Sequence, residues 1–237
     1  MKIHEFDTGK GIYRFELNEM KTDFHAHPVF EIMLSKNGGI DLETKNSKFS
    51  NVSLAIVAPN QPHKVEYKKS SVLILMVECN TAYLQKLLSK FNIELSDGIY
   101  TDNQASDKTA FVDKIINAIY NSNVTTAADE RIQKSLDYLN SASSDYKALM
   151  QNLKLITHLS DSRLSHLFKK ETGTSIKKYF VWSKLKRAFE KVVRGEKNMF
   201  EASIEHGFYD QAHLSKAFKQ MFGIAPSDVY NSRMLQV

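Results

Sequence analysis

Leu164-Ser165-His166-Leu167-Phe168-Lys169-Lys170-Glu171-Thr172-Gly173 returns fifty residues later as Leu214-Ser215-Lys216-Ala217-Phe218-Lys219-Gln220-Met221-Phe222-Gly223. The shared pattern is Leu-Ser-x-x-Phe-Lys-x-x-x-Gly, five matched positions in ten. Agreement at identical spacing marks an internal repeat. In each copy Leu and Phe lie four apart, on one face of a helix, and Gly falls where that helix should end. The chain carries two copies of one helical unit.

Working outward, each copy follows a shorter helix and a tight connection. Leu149, Leu153 and Ile156 form an apolar stripe that stops at Thr157-His158-Leu159-Ser160, where Ser160 or Asp161 can cap the next helix. Phe200, Ser203 and Ile204 precede His206-Gly207-Phe208-Tyr209, and Asp210 can serve as the second cap. Helix, short turn and capped helix is the arrangement that lays a second helix in the major groove of DNA. Gly207 tolerates the positive φ such a turn asks for, whereas His158 does not, so the first turn is expected to be less regular. Residues 176–194 read as one long helix joining the units, with Trp182 in the core.

Residues 130–233 resemble the C-terminal DNA-binding domain of AraC/XylS-type regulators. The residues that carry the resemblance are Glu201-Ala202-Ser203, Gly207-Phe208, Asp210-Gln211, Phe218-Lys219, Gly223 and Pro226. Departures are Lys154 where the family usually has alanine, Lys184 and Lys216 where it has arginine, and Ala212 where it has serine. The resemblance implies that both reading helices enter successive major grooves of a promoter. It places Ser162, Arg163 and His166 of the first helix, and Gln211, His213 and Lys216 of the second, at the bases. Arg can grip guanine and Gln can grip adenine through paired hydrogen bonds. Lys169, Lys170 and Lys219 sit late on their helices and suit phosphates better.

Charge divides the chain in the same place. Residues 1–127 hold 14 Lys+Arg and 15 Asp+Glu, and residues 128–237 hold 18 and 12. A near-neutral half joined to a basic one suits a sensing part and a polyanion-binding part. No apolar run approaches the ~20 residues of a membrane span, and the N-terminus shows no export signal. Cys79 is the single cysteine, so no intrachain disulfide is expected and a reducing cytoplasm suits the chain.

The first half reads as strands. Residues 12–17, 29–35, 54–58 and 72–77 are short apolar runs punctuated by Asn37-Gly38-Gly39 and Pro59-Asn60-Gln61-Pro62. Strands at this spacing suggest a small barrel or sandwich. Helical spacing begins near residue 81, and residues 107–120 form an apolar helix that could pack on the barrel or against a second copy of the chain. Residues 121–126 are polar and read as a linker.

Within the strands, His25-Ala26-His27 and Glu31 share one side by their parity, and His63 arrives from another strand. His25, His27, Glu31 and Gly38 resemble the first motif of cupin barrels, while residues 59–63 follow the second motif poorly. The cluster could be a first-row divalent metal site, a polar lining that recognises a small effector, or a set of satisfied barrel histidines. AraC-type sensing domains keep pieces of this motif without metal, and the resemblance favours the effector pocket.

The expected molecule is an α+β protein. A cupin-like β-barrel sensing domain occupies residues 1–80, and a helical segment with linker and candidate dimer contact occupies 81–127. An all-α DNA-binding domain with two helix-turn-helix units joined by a long helix occupies 128–237. The expected function is a cytoplasmic, effector-responsive transcription regulator with no catalytic residues and no required cofactor. Its partners would be double-stranded promoter DNA, a small-molecule effector, RNA polymerase and a second copy of the chain. The alternative is a metal-dependent cupin enzyme, a dioxygenase or isomerase, with accessory helices; a further one is an effector-free regulator controlled by abundance or a protein partner.

Overall fold

A computed structural model describes residues 2–103, 107–122, 127–142 and 145–226. The strands are β1 (Lys2–Asp7), β2 (Ile12–Leu17), β3 (Met20–Lys21), β4 (Phe30–Ser35), β5 (Ile40–Glu43), β6 (Lys48–Val52), β7 (Leu54–Val57), β8 (Lys64–Tyr67), β9 (Val72–Val77) and β10 (Ile99–Asp102). The helices are α1 (Thr81–Lys90), α2 (Lys108–Tyr120), α3 (Glu130–Ser141), α4 (Tyr146–Thr157), α5 (Asp161–Thr172), α6 (Ile176–Val193), α7 (Met199–Glu205) and α8 (Gln211–Phe222).

Burial on both faces explains why four strands were legible. β2, β9, β4 and β7 are neighbours inside a six-stranded antiparallel sheet of order β1-β2-β9-β4-β7-β10. In β4, Phe30, Ile32 and Leu34 pack beneath the helices, and Met33 faces the barrel interior with Tyr13 and Ile74. A strand covered on both sides reads as a continuous apolar run. The second sheet, β3-β8-β5-β6, covers the other side of that interior with Ile40, Leu42, Val65 and Tyr67; among the described residues no ladder joins the two sheets, so the expected barrel is an open one made of two facing sheets. Its strands are short, or polar on one face, and left a weaker pattern. The large sheet also extends beyond residue 80, because β10 pairs with β7 after α1 intervenes.

The apolar face of α2 is taken up within the chain. Val112, Ile115, Ile116 and Ile119 are buried against the outer face of the large sheet. Of the linker expected at 121–126, Asn121 and Ser122 follow α2, and residues 123–126 lie outside the described residues.

Six helices form the described part of the second half, and each begins at a side-chain cap: Asp129, Asp145, Ser160, Ser175, Asn198 and Asp210. Each cap satisfies a backbone N–H that the first turn leaves open. The repeat survives as geometry. Helices α5 and α8 are both twelve residues long and end at glycines in the left-handed region, Gly173 at φ 73° and Gly223 at φ 70°. His158 takes up φ 54° at the end of α4, so the first turn uses a left-handed conformation without a glycine.

One core runs through both halves. The barrel interior is continuous with the helical residues Leu164, Tyr179, Trp182, Leu185 and Phe218. The barrel also holds the ends of both repeat helices. Asn60 Nδ2 donates to the Gly173 carbonyl oxygen at 3.0 Å, and the Asp23 N–H donates to the Gly223 carbonyl oxygen at 2.8 Å.

The two glycines give a matched test. Gly173→Ala meets only Thr81 Oγ1, at 3.6 Å, so it should cost about 1 kcal/mol for the left-handed backbone. At Gly223 a Cβ would lie 2.5 Å from the Asp23 carbonyl oxygen and 2.7 Å from His25 Nδ1. Gly223→Ala should therefore lose a further ~1–3 kcal/mol through overpacking, measured as the difference between urea unfolding free energies.

Candidate DNA-reading helices and an interdomain cavity

The residues expected to read bases all reach the surface. Ser162, Arg163 and His166 on α5, and Gln211, His213 and Lys216 on α8, are exposed. The apolar positions between them, Leu164 with Phe168 and Leu214 with Phe218, anchor each helix in the core. Lys169 and Lys170 are exposed at the end of α5. Lys219 holds the equivalent place on α8, but its ammonium is 2.8 Å from Asp23 of the barrel. His213 stacks edge-on against Phe208, with ring centroids 5.3 Å apart, and its Nδ1 accepts the Tyr209 N–H at 3.4 Å. Lys184 lies inside the fold, donating to the Gly207 carbonyl oxygen at 3.0 Å and resting over Phe180. That places Lys184 as a brace for the second turn.

The structure brings the four pocket candidates together. His25 and His27 do not share a strand with Glu31 as expected: they lie in the segment before β4, and His25 is held there by an isolated bridge to His63, through two backbone hydrogen bonds of 2.9 and 3.0 Å. Ring centroids are 4.2 Å apart for His25 and His63, and 5.2 Å for His27 and His63. His27 Nε2 donates to Glu31 Oε2 at 3.2 Å. His63 Nε2 lies 3.3 Å from the same oxygen, near enough to feel its charge but without hydrogen-bond geometry.

Burial pushes the Glu31 carboxyl up, but the two imidazoles outweigh it and hold the group well below the usual carboxylate range. Burial, reinforced by the neighbouring His63 and His27, lowers His25 to about 3. One nitrogen from each of the three histidines falls within 4.8 Å of the others. Three imidazoles beside a carboxylate form a donor set that could hold a first-row divalent ion.

His25, His27 and Glu31 lie in the wall of a cavity of about 370 Å³ between the barrel and the helices, whereas His63, expected in the pocket, is fully buried behind them and does not line it. Phe15, Met20 and Met76 come from the barrel side, and Trp182, Phe189 and Phe222 from the helical side. Tyr67 also lines it, and its hydroxyl is buried with no hydrogen-bond partner.

Beside the cavity the two halves are joined through one carboxylate. Glu78 follows β9 and is buried. It accepts hydrogen bonds from Trp182 Nε1 at 3.0 Å, from Tyr179 at 3.0 Å, from Tyr13, and from Lys186 Nζ at 2.8 and 2.9 Å. Burial works against ionisation, but Lys186 and the three other donors prevail and lower its pKa. The same charge and burial push the Tyr13 and Tyr179 hydroxyls well above their ordinary range.

Sequence reasoning did not single out Glu78, Lys186, Tyr67 or Asp23. A signal existed for Lys186. Tyr179, Trp182 and Lys186 are spaced three and four apart, so the lysine shares the helix face of two buried aromatics.

Comparison with known proteins agrees with this geometry. Residues 155–232 match the model of a helix-turn-helix domain. The Msm operon regulatory protein of Streptococcus mutans is 32% identical over 109 residues, covering 39% of this chain and 39% of that protein. The arabinose operon regulatory protein of Salmonella typhimurium is 27% identical over 113 residues, covering 47% of this chain and 40% of that protein. The chain thus aligns with about two fifths of the length of these relatives. Among solved structures, an apo form of ToxT from Vibrio cholerae superimposes with a TM-score of 0.58 at 14% identity, covering 98% of this chain and 100% of that one. ToxT bound to (E)-4-(8-methylnaphthalen-1-yl)but-3-enoic acid superimposes with a TM-score of 0.56 at 13% identity, covering 95% and 98%. At such identity the likeness is one of fold, a β-rich half followed by a helical one.

The interdomain ion pair and the histidine cluster each yield a stability prediction. Lys186→Met leaves the Glu78 charge buried without its cation and should cost about 3–5 kcal/mol in urea unfolding. The double variant Glu78→Leu/Lys186→Met should recover only part of that loss: no charge then remains to be buried, but Tyr13 and Trp182 lose the acceptor of their buried hydrogen bonds.

His25 is a base whose folded pKa lies below its unfolded value. Below the unfolded pKa the unfolded chain binds a proton that the folded chain refuses. Its contribution is thus complete above about pH 6.5 and falls by ~1.4 kcal/mol per pH unit as the pH drops toward 3. His25→Gln should flatten the slope of unfolding free energy against pH between 6.5 and 5.

Proposed function

We propose that this chain is a transcription regulator of the AraC type, reading DNA with α5 and α8 and responding to a small effector in the interdomain cavity. The observation that carries the reading is the repeated unit itself. Two helices of equal length, each capped at its start and closed by a left-handed glycine, present different exposed residues on one scaffold. Ser162, Arg163 and His166 meet one set of bases, and Gln211, His213 and Lys216 another. Lys169 and Lys170 neutralise phosphates, and Lys219 joins them where its pairing with Asp23 gives way. An exposed ion pair of this kind contributes little, about 0–1 kcal/mol, so a phosphate can displace it.

The effector reading rests on where the cavity lies. Its walls come from both halves, so its shape changes whenever they move relative to one another. A ligand that fits one arrangement better shifts the population toward it. His25, His27 and Glu31 supply the polar end of the site, and His63 backs Glu31 from within the fold. ToxT has been solved with the butenoic acid above and with an unsaturated fatty acid, so in that protein the fold takes small amphiphiles.

The reading requires no cofactor and assigns the chain to the cytoplasm, in keeping with the absence of any described helix long and apolar enough to cross a membrane. RNA polymerase is its further partner at promoters. Should two copies associate, they must use a surface other than the buried face of α2. The rival of a metal-dependent cupin enzyme finds no support among the relatives, which are operon regulators.

The test is selection of genomic fragments by the purified protein at two salt concentrations. The expected outcome is a small set of fragments that survive the higher salt and share two short blocks about one helical turn apart. Arg163→Ala and Gln211→Ala should each relax specificity within one block, at a cost of about 1–3 kcal/mol. Lys169→Ala and Lys170→Ala should weaken all sequences alike and each lower the salt slope by about 1. Weak binding that is blind to sequence and vanishes with salt would overturn the reading.

A further inference from the structure

The cavity holds two charged groups at depth, and each is already compensated. Lys186 is the cationic one, and its ammonium contacts both oxygens of Glu78 at 2.8 and 2.9 Å with almost no exposure. Those oxygens are further occupied by Tyr13, Tyr179 and Trp182. Glu31 is the anionic one, and His27 and His63 sit against the same carboxylate oxygen. Other charges on the lining belong to Glu19, Lys21 and Lys68. The Lys21 and Lys68 side chains are largely exposed, where water screens a pairing strongly.

An acid entering the buried part would find no free cation. It would instead face the Glu31 carboxylate in the wall, with Glu78 behind Lys186, and an uncompensated charge in such a buried place is costly. A cation would find Glu31 already engaged.

What remains unsatisfied is neutral. The Tyr67 hydroxyl is buried, lines the cavity and has no partner, so it can donate one hydrogen bond. His25 Nδ1 lies 3.0 Å from the Asp23 carbonyl oxygen and donates to it, which leaves Nε2 of the neutral ring as an acceptor. A hydroxyl is the simplest head group that both accepts and donates. The other walls are aromatic and aliphatic.

We infer that the cavity selects an uncharged amphiphile, an apolar body bearing an alcohol, and rejects carboxylic acids because Glu78 already occupies Lys186. The inference rests on the effector reading of this cavity and departs from the acids that ToxT binds. Glu78 is then the specificity-determining residue: an internal carboxylate that stands where a ligand's acid would pair. The closing carboxylate also couples ligand choice to domain contact, since the same Glu78 joins β9 to α6.

Trp182 is the single tryptophan and lines the cavity, so its fluorescence reports occupancy in the full chain. The experiment titrates 1-decanol, decanoate and decylamine separately near neutral pH, each below its self-association concentration. The wild type should bind 1-decanol at least about tenfold more tightly than either charged probe, the factor expected for one unpaired buried polar group.

Tyr67→Phe removes only the unpartnered hydroxyl. It should weaken 1-decanol roughly fivefold or more while leaving decanoate unchanged. Glu78→Gln frees Lys186 and should bring decanoate to the affinity of 1-decanol or beyond. If that variant fails to fold, the wild-type ranking and Tyr67→Phe decide alone. Tightest binding of decanoate or of decylamine by the wild type would overturn the neutral class while upholding the cavity as a ligand site. No fluorescence response to any of the three would count against the cavity as an effector site, and the inference would fall with it.

Discussion

The arrangement depends on a carboxylate almost wholly withdrawn from water. Glu78 directly follows β9, a wholly apolar strand of the large sheet, and burying its charge alone would cost several kcal/mol. Three of its four side-chain donors, Tyr179, Trp182 and Lys186, lie on one face of α6. The fold therefore keeps that face of α6 against the barrel, because any other seating would strip the charge of its donors. Helix α6 in turn packs against α5, α7 and α8. One buried ion pair thus fixes the frame that holds both reading helices, and the aromatic contacts of Phe6 with Phe189 and Tyr13 with Trp182 fill the space around it.

The repeat separates scaffold from information. Leu164 and Leu214, Phe168 and Phe218, and the closing glycines occupy equivalent places and do equivalent structural work. Between them the exposed positions differ, with Arg163 against His213 and His166 against Lys216. Identical scaffolds with different readers are what recognition of two unlike blocks requires. The barrel touches each helix at its glycine end, through Asn60 and Asp23. Base contacts are made mainly from the opposite, N-terminal end of such a helix. Contact with the barrel and contact with DNA are therefore compatible.

The legibility of the sequence follows the strength of each physical signal. The repeat stood out because a helix end that needs a left-handed residue selects glycine, and glycine twice at one spacing is conspicuous. Strands β2, β4, β7 and β9 stood out because burial on both faces demands apolar side chains throughout. Strands β5 and β6 left little trace, since Asp41, Ser50 and Asn51 face solvent and break the run. The residues of the histidine cluster were legible, but not for the reason parity supplies: β4 begins at Phe30, so His27 reaches Glu31 from the loop before it and His25 is placed by its isolated bridge to His63. Glu78 and Lys186 were not legible as a pair. They lie 108 residues apart in the chain, and a lone charge beside an apolar run reads as the edge of a strand. Tyr67 escaped for the opposite reason, because an unpartnered hydroxyl leaves no mark on a sequence that otherwise alternates as a strand should.

The cavity, the histidines and the second reading helix form one connected path. His25 lines the cavity, and a Cβ added to Gly223 would fall 2.7 Å from its Nδ1. The backbone of Asp23, two residues before His25, holds the Gly223 carbonyl oxygen, and the N–H of Ala26 holds that of Gln220 at 3.3 Å. No side chain intervenes at Gly223, so displacement of His25 is transmitted to the end of α8 through backbone contact. The first reading helix has a link of a different kind: Asn60, whose Nδ2 holds the Gly173 carbonyl oxygen at 3.0 Å, donates its backbone N–H to the His27 carbonyl oxygen at 2.7 Å, so a side chain stands between the histidines and the end of α5. On the proposed effector reading, a ligand that displaces the histidines would reach both helix ends, α8 through the backbone of Asp23 and α5 through Asn60, and so change the setting of the two readers. Because binding free energies are reciprocal, DNA that prefers one setting must alter the affinity for the ligand by the same factor.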